Sequence, residues 1–170
     1  MSDICIDVPG GKFNYRVGAI IQHEGKLLMV KNSDDDFYYT VGGRVKFGES
    51  AEETILREAL EETGLPLEID RLAFIHENFF NFGPTQIQFH ELCLFFLMKP
   101  HEKLGEVRLS FEEAYGEVSI HWLPIEKLSE YKIYPEFFKT ELANQHACIR
   151  HIVVTRDGNP LENKHQHDFK

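Results

Sequence analysis

The sequence predicts a mixed α/β (α+β) domain, with one glutamate-rich helix and a second helix near the C-terminus set against a mixed β-sheet. Three observations lead there. Ser50 to Gly64 has the composition and end signals of a helix. Two long β-type runs flank the turn sequence Asn81-Phe82-Gly83-Pro84. The chain has 170 residues, 42% hydrophobic and 27% charged, which suits one compact domain over 1–170 and neither a disordered chain nor a coiled coil.

Taken in order, Phe13, Tyr15, Val17, Ile20 and Ile21 predict a strand. Glu24-Gly25-Lys26 predicts a hairpin turn into Leu27 to Val30, giving an antiparallel pair. The polar run Asn32 to Asp36 predicts a loop, and Phe37 to Val41 a short strand ending at Gly42-Gly43, where the chain bends or meets a ligand closely. Ser50 and Glu53 form a capping box, helix formers fill Ala51 to Glu62, and Gly64 stands where a helix stops. Leu67 to Phe80 and Gln86 to Met98 predict the second half of the sheet, and Lys99 to Glu117 a polar loop. A strand over Val118 to Leu123, a short helix from Pro124 to Leu128, a longer one over Pro135 to Ala143 and a final strand over Cys148 to Thr155 complete the order.

Eighteen basic against 28 acidic side chains give a formal charge of −10, which argues against binding a nucleic-acid polymer by bulk attraction. Carboxylates can instead hold a divalent cation that brings in phosphates. Cys5, Cys93 and Cys148 lie far apart without a C-x-x-C pair, so neither a disulfide framework nor a zinc site is indicated, and reducing cytoplasm is the expected compartment. The N-terminus lacks the features of a signal peptide, and no run approaches the ~18 apolar residues of a membrane span.

Glu58, Glu61 and Glu62 have i, i+3, i+4 spacing and share part of one helix surface. Glu58 and Glu62 fall beside Ala51, Ile55 and Ala59, the stripe suited to burial. Two readings exist: a solvated face laced by Glu53 to Arg57 and Arg57 to Glu61 pairs, or an acid cluster neutralised by a cation. Hard oxygen donors without Cys or His favour Mg2+ or Mn2+.

The preceding loop decides between them. Gly43, Glu49, Arg57, Glu58, Glu61, Glu62, Gly64 and Leu65 fit the pattern G-x5-E-x7-R-E-U-x-E-E-x-G-U, with Ala59 at the first U, and every fixed position is filled. This resembles the Nudix hydrolase signature. The order of flanking elements, including Trp122 to Leu128, is similar to the usual Nudix order over about residues 12 to 156, leaving a polar tail at 157–170. The resemblance implies an α/β/α sandwich and a hydrolase that uses Mg2+ or Mn2+ and water to split a diphosphate joined to another moiety, most often a nucleoside diphosphate derivative.

By that resemblance Glu58, Glu61 and Glu62 match the metal-binding positions, and the Gly42 carbonyl completes the shell. Arg57 orients the glutamates, with Glu49 and Glu61 as expected partners. Glu49 either anchors the loop or contacts metal. The general base is a box glutamate or a later acid, with Glu117 preferred over Glu112 and Glu113. Arg16 and Arg44 are candidates for substrate phosphates. Phe79, Phe80 and Phe82 are either core or a stacking surface for a base, and His76, His90 and His121 read as packing or hydrogen-bonding residues. The partner is expected to be a small nucleotide derivative, with neither nucleic acid nor membrane, and the aromatic hairpin is a candidate homodimer surface. The rival function is a non-catalytic nucleotide-sensing module, against which the intact box argues. Within the enzymes, an oxidised-nucleotide sanitiser of the MutT type competes with an ADP-ribose or sugar-nucleotide hydrolase. The proline that marks ADP-ribose hydrolases downstream of the box is Asn81 here.

Overall fold

The computed structural model describes residues 1–108, 110–113, 116–144 and 148–154, so the expected tail and the end of the last predicted strand at Thr155 lie outside the described residues. The strands are β1 (Cys5–Val8), β2 (Gly11–Ile20), β3 (Gln22–His23), β4 (Lys26–Asn32), β5 (Tyr38–Tyr39), β6 (Gly42–Arg44), β7 (Ile69–Phe82), β8 (Ile87–Met98), β9 (Ser110–Glu113), β10 (Gly116–Pro124), β11 (Ile133–Tyr134) and β12 (Arg150–Val154). The helices are α1 (Ala51–Thr63) and α2 (Phe138–Glu141), with 3-10 turns at Leu104–Glu106 and Ile125–Glu130. The first sheet has the order β1-β2-β8-β7-β12, with β6 also on β2. The second has the order β11-β5-β4-β10-β9, with β3 also on β4. Both are mixed: β2 with β8, β7 with β12 and β5 with β11 run parallel.

Helix α1 forms where its local signals place it. The Ser50 hydroxyl accepts from the Glu53 N–H and the Glu53 carboxylate accepts from the Ser50 N–H, while Gly64 ends the helix in the left-handed conformation at φ 77°. Its buried stripe of Ile55 and Ala59 joins Val17, Ala19, Val30 and Val118 in one core. The opposite side of the sheets builds a second core from Ile20, Met29, Phe74, Phe95 and Phe138. Together these give the mixed α/β architecture that the sequence predicts.

Four expectations need correction. The expected hairpin turn at Glu24-Gly25 forms, with Gln22-His23 antiparallel to Lys26-Leu27, but the long strand that ends at Ile20 is not its first arm. It belongs to the first sheet, and only the two residues of β3 pair with β4. Val17 to Ile21 are all buried, as in a strand covered on both faces, and the chain changes sheets at Ile21, whose carbonyl accepts the Leu28 N–H at 2.9 Å. The segment Lys99 to Glu117 is no continuous loop: it holds a 3-10 turn, the edge strand β9 and the start of β10, so Glu117 is a strand residue opposite Glu112. A strand paired at the sheet edge needs little hydrophobic alternation, which hid it. The helix expected over Pro135 to Ala143 shrinks to the single turn of α2, because Phe138 alone of that turn is fully buried, packed on Phe95 and Phe74. Strand β7 runs on through Phe82, and the hairpin turn falls at Gly83 to Gln86.

Candidate active site

The loop before α1 and the first face of α1 meet at Arg57. Its Nε and Nη2 donate to the two oxygens of Glu49 at 3.2 and 3.1 Å, and its Nη1 donates to Glu58 at 2.7 Å and to Glu61 at 3.2 Å. Thr54 Oγ1 adds a donor to Glu49 at 3.0 Å. The hydrogen bond from Arg57 holds the Glu49 carboxyl below its usual range, opposed by burial and aided by Thr54. Burial alone would lower the Arg57 pKa, but hydrogen bonds to Glu49 and Glu58 outweigh it and leave the guanidinium firmly charged. Glu49 therefore serves as an anchor that ties the loop to the helix.

Glu58 and Glu62 meet the Gly42-Gly43 backbone of β6. Glu62, only 5% exposed, accepts the Gly42 N–H at 2.9 Å. The Glu58 carboxylate lies where a side chain at Gly43 would stand, so any Cβ there would collide with it. Gly42 itself has φ 149° and closes on the Val17 carbonyl, the place in this turn where only glycine fits. Glu61 is the outermost acid, its side chain 58% exposed.

The donor set is all oxygen, which suits a hard divalent cation, and the glycine cradle leaves Glu58 and Glu62 against bare backbone. Glu61 stands off with Arg57; among the described residues no three His, Cys, Asp or Glu side chains converge into a ready metal cage. The residues fit such a cation through the Glu58 and Glu62 pair, with Glu61 one position away on the helix.

The remaining sequence-derived candidates lie elsewhere. Arg44 is already engaged: its Nε donates to Asn14 Oδ1 at 3.1 Å and its Nη1 lies 3.7 Å from Asp3. Asn14, almost fully buried, in turn donates to Glu91 at 2.7 Å. Arg16 pairs in register with Arg44 across β2 and β6, is half-buried, and makes no ion pair or hydrogen bond among the described residues. Glu117 is exposed on β10, on the face opposite Val118 and Ile120, and no contact joins it to the box acids. For Glu112 and Glu113 only the backbone of β9 is described. Phe80 stacks on Phe89 at 5.1 Å and Phe82 stands 66% exposed at the hairpin end.

Two groupings carry no signal in the sequence. The Arg108 guanidinium packs over Gly64, so close that a Cβ there would lie 2.8 Å from Nη2, and it supplies a cation at the C-terminal end of α1, whose last turn has none. On β4, β5 and β10, Lys31 sits 5.3 Å from the Tyr38 ring centre, His121 meets that ring edge-on at 5.1 Å, and Ser119 Oγ lies 2.8 Å from His121 Nε2. Burial and the Lys31 charge lower the His121 pKa. These residues come together through strand pairing over some 90 positions of chain.

The model of the NUDIX domain matches residues 12–142, most of the chain and all of the loop and helix just described. The chain belongs to the Nudix family. Among curated Nudix relatives it is 47% identical over 53 residues to a putative 8-oxo-dGTP diphosphatase of Bacillus subtilis, covering 29% of this chain and 36% of that one. It is 34% identical over 65 residues to an ADP-ribose pyrophosphatase of Methanocaldococcus jannaschii, covering 36% of this chain and 38% of that one. The chain thus spans well under half the length of these relatives. In fold it resembles a MutT protein from Bacillus halodurans, with a TM-score of 0.60 at 18% identity, over 88% of this chain and 95% of that one.

Proposed function

We propose that this Nudix protein is a metal-dependent hydrolase that uses Mg2+ or Mn2+ to cleave the diphosphate linkage of a nucleoside diphosphate joined to another moiety. The observation that carries the reading is the meeting of Glu58 and Glu62 at the Gly42-Gly43 backbone, inside a box with every acidic position filled. The relatives named for diphosphate and pyrophosphate cleavage support the same reaction class. A non-catalytic sensing module would have no need of the complete acid set.

Diphosphates resist hydrolysis because their anionic oxygens repel a nucleophile, and a bound divalent cation supplies charge neutralisation and a more acidic water. Glu58, Glu62 and Glu61 would hold that cation. Arg57 keeps Glu58 and Glu61 oriented, and Glu49 keeps Arg57 in place. Water forms the new bond to phosphorus, the bridging oxygen leaves with the other phosphate, and a carboxylate accepts the proton. Arg16 rather than Arg44 is the phosphate ligand, since Arg44 is occupied by Asn14 and Asp3. Glu117 is the proposed proton acceptor, an exposed acid on β10.

The test is hydrolysis with Mg2+ across nucleoside triphosphates, oxidised nucleotides, ADP-ribose and sugar nucleotides, repeated with Glu61→Gln and Glu62→Gln. Each substitution keeps shape and removes charge, and turnover is expected to fall at least ~10²-fold with weaker Mg2+ binding. Near wild-type rates for both at saturating Mg2+ would sink the assignment.

A further inference from the structure

The loop that carries Glu49 is tied on two sides. From β2, the Tyr15 carbonyl accepts the Val45 N–H at 3.0 Å. On the other side Ser2, Asp3 and Ile4, ahead of β1, run antiparallel to the loop as a short strap. The Ile4 N–H donates to the Val45 carbonyl at 2.8 Å, the Phe47 N–H donates to the Ser2 carbonyl at 2.9 Å, and Asp3 stands opposite Lys46 between them. Among the described residues, two of the three backbone hydrogen bonds that residues 45–49 make to other segments therefore go to the strap.

The strap is itself held in a fixed place. The Ile4 carbonyl accepts the Tyr15 N–H at 3.0 Å, the Ile4 side chain packs against the first core, and β1 follows at once, paired with β2 over Cys5 to Val8. From Lys46 the chain turns through Gly48 at φ 92°, and the Lys46 carbonyl accepts the Glu49 N–H at 3.0 Å. The position of Lys46 against the strap thus sets where Glu49 leaves the loop. Both Glu49 oxygens bond Arg57, and Arg57 holds Glu58 and Glu61. Phe47 is 74% exposed, so burial of its ring does little to hold the loop in the strap's stead.

We infer that Ser2, Asp3 and Ile4 are positioning residues, acting through their backbone, that set the register of the box loop and, by way of Glu49 and Arg57, keep Glu58 and Glu61 placed to receive a divalent cation. The inference rests on the metal-dependent reading proposed for this site. Groups that bond directly to metal ligands commonly change metal affinity about 10–100-fold when removed. The strap stands further out, so the effect expected is that of one hydrogen bond, roughly fivefold.

The experiment compares the full wild-type chain with Ile4→Pro, which removes the N–H given to Val45 and keeps an extended backbone, and with Ile4→Val, which keeps both the N–H and the apolar contact. In EDTA, the Arg57 Nε–H resonance, identified by its absence from Arg57→Lys, should exchange slowly with solvent in wild type and Ile4→Val. In Ile4→Pro it should broaden or vanish, while the melting temperature stays near that of wild type. Calorimetric titration with Mn2+ alone should give roughly fivefold weaker binding for Ile4→Pro and no change for Ile4→Val. Hydrolysis should then need correspondingly more Mn2+, with KM for the nucleotide and kcat at saturating Mn2+ unchanged.

An Arg57 signal and a Mn2+ affinity in Ile4→Pro that match wild type would overturn the inference. So would an equal loss in Ile4→Val, which would trace the effect to packing. If Ile4→Pro does not fold, deletion of Ser2 and Asp3 leaves Ile4 in the core and takes away the acceptor of the Phe47 N–H: the same losses keep the inference, and wild-type behaviour overturns it. Failure of wild type to bind Mn2+ would overturn the metal-dependent reading alone, and the Arg57 signal in EDTA would still decide the role of the strap.

Discussion

At the scale of single residues, the half-buried Arg57 and the buried His76 illustrate opposite fates of a polar group taken from water. Arg57 meets three carboxylates and is satisfied; His76 keeps an unmet nitrogen. Because the folded His76 pKa is lowered to about 4 from 6.5, the unfolded chain binds the extra proton first as pH falls. The stability from keeping it neutral is full above pH 6.5 and is lost between there and pH 4, by at most on the order of 3 kcal/mol. Melting temperature against pH should therefore slope upward over that window, and more shallowly for His76→Phe. Glu117 is argued at the same scale. If it accepts the proton, Glu117→Gln lowers kcat by roughly 10²–10⁴-fold while Mg2+ affinity stays near wild type, and an unaltered kcat would return the role to Glu58, Glu61 or Glu62. The box residues were legible because their spacing is local; His76 was not, because a histidine in a strand has no mark that tells a satisfied ring from an unsatisfied one.

At the scale of elements, α1 was legible almost to the residue, since Ser50, Glu53 and Gly64 act on backbone groups within a turn of themselves. The capping box makes a definite prediction: Ser50→Ala removes the acceptor for the Glu53 N–H and should cost about 0.5–2 kcal/mol in thermal unfolding, without touching the acids of the box. Strand β9 and the one-turn α2 were not legible, because each is set by what it packs on. Phe138 is fixed by Phe74 and Phe95, residues more than 40 positions earlier. The change of sheets at Ile21 belongs here too, for a buried run such as Val17 to Ile21 reads the same in a hairpin as in a central strand.

For the whole molecule, the candidate site straddles β6, a three-residue strand with the box acids at its backbone and Arg16 one strand in. Two cores lie on opposite sides of the sheets, and no helix among the described residues is long and apolar enough to cross a membrane. Strand β12 becomes the edge of the first sheet by pairing with β7 over Phe74 to Asn78. A ribosome delivers β7 some 70 residues before β12, so the nascent sheet waits with one margin of bare N–H and C=O groups, open to any passing strand. Synthesis therefore leaves this protein sticky until β12 has been made and has paired. A chain cut after Asn144 should pellet or associate on refolding where the full chain stays dispersed, as light scattering would read. If so, the five-residue β12 acts as a cover that exchanges the open margin of the 14-residue β7 for its own shorter one.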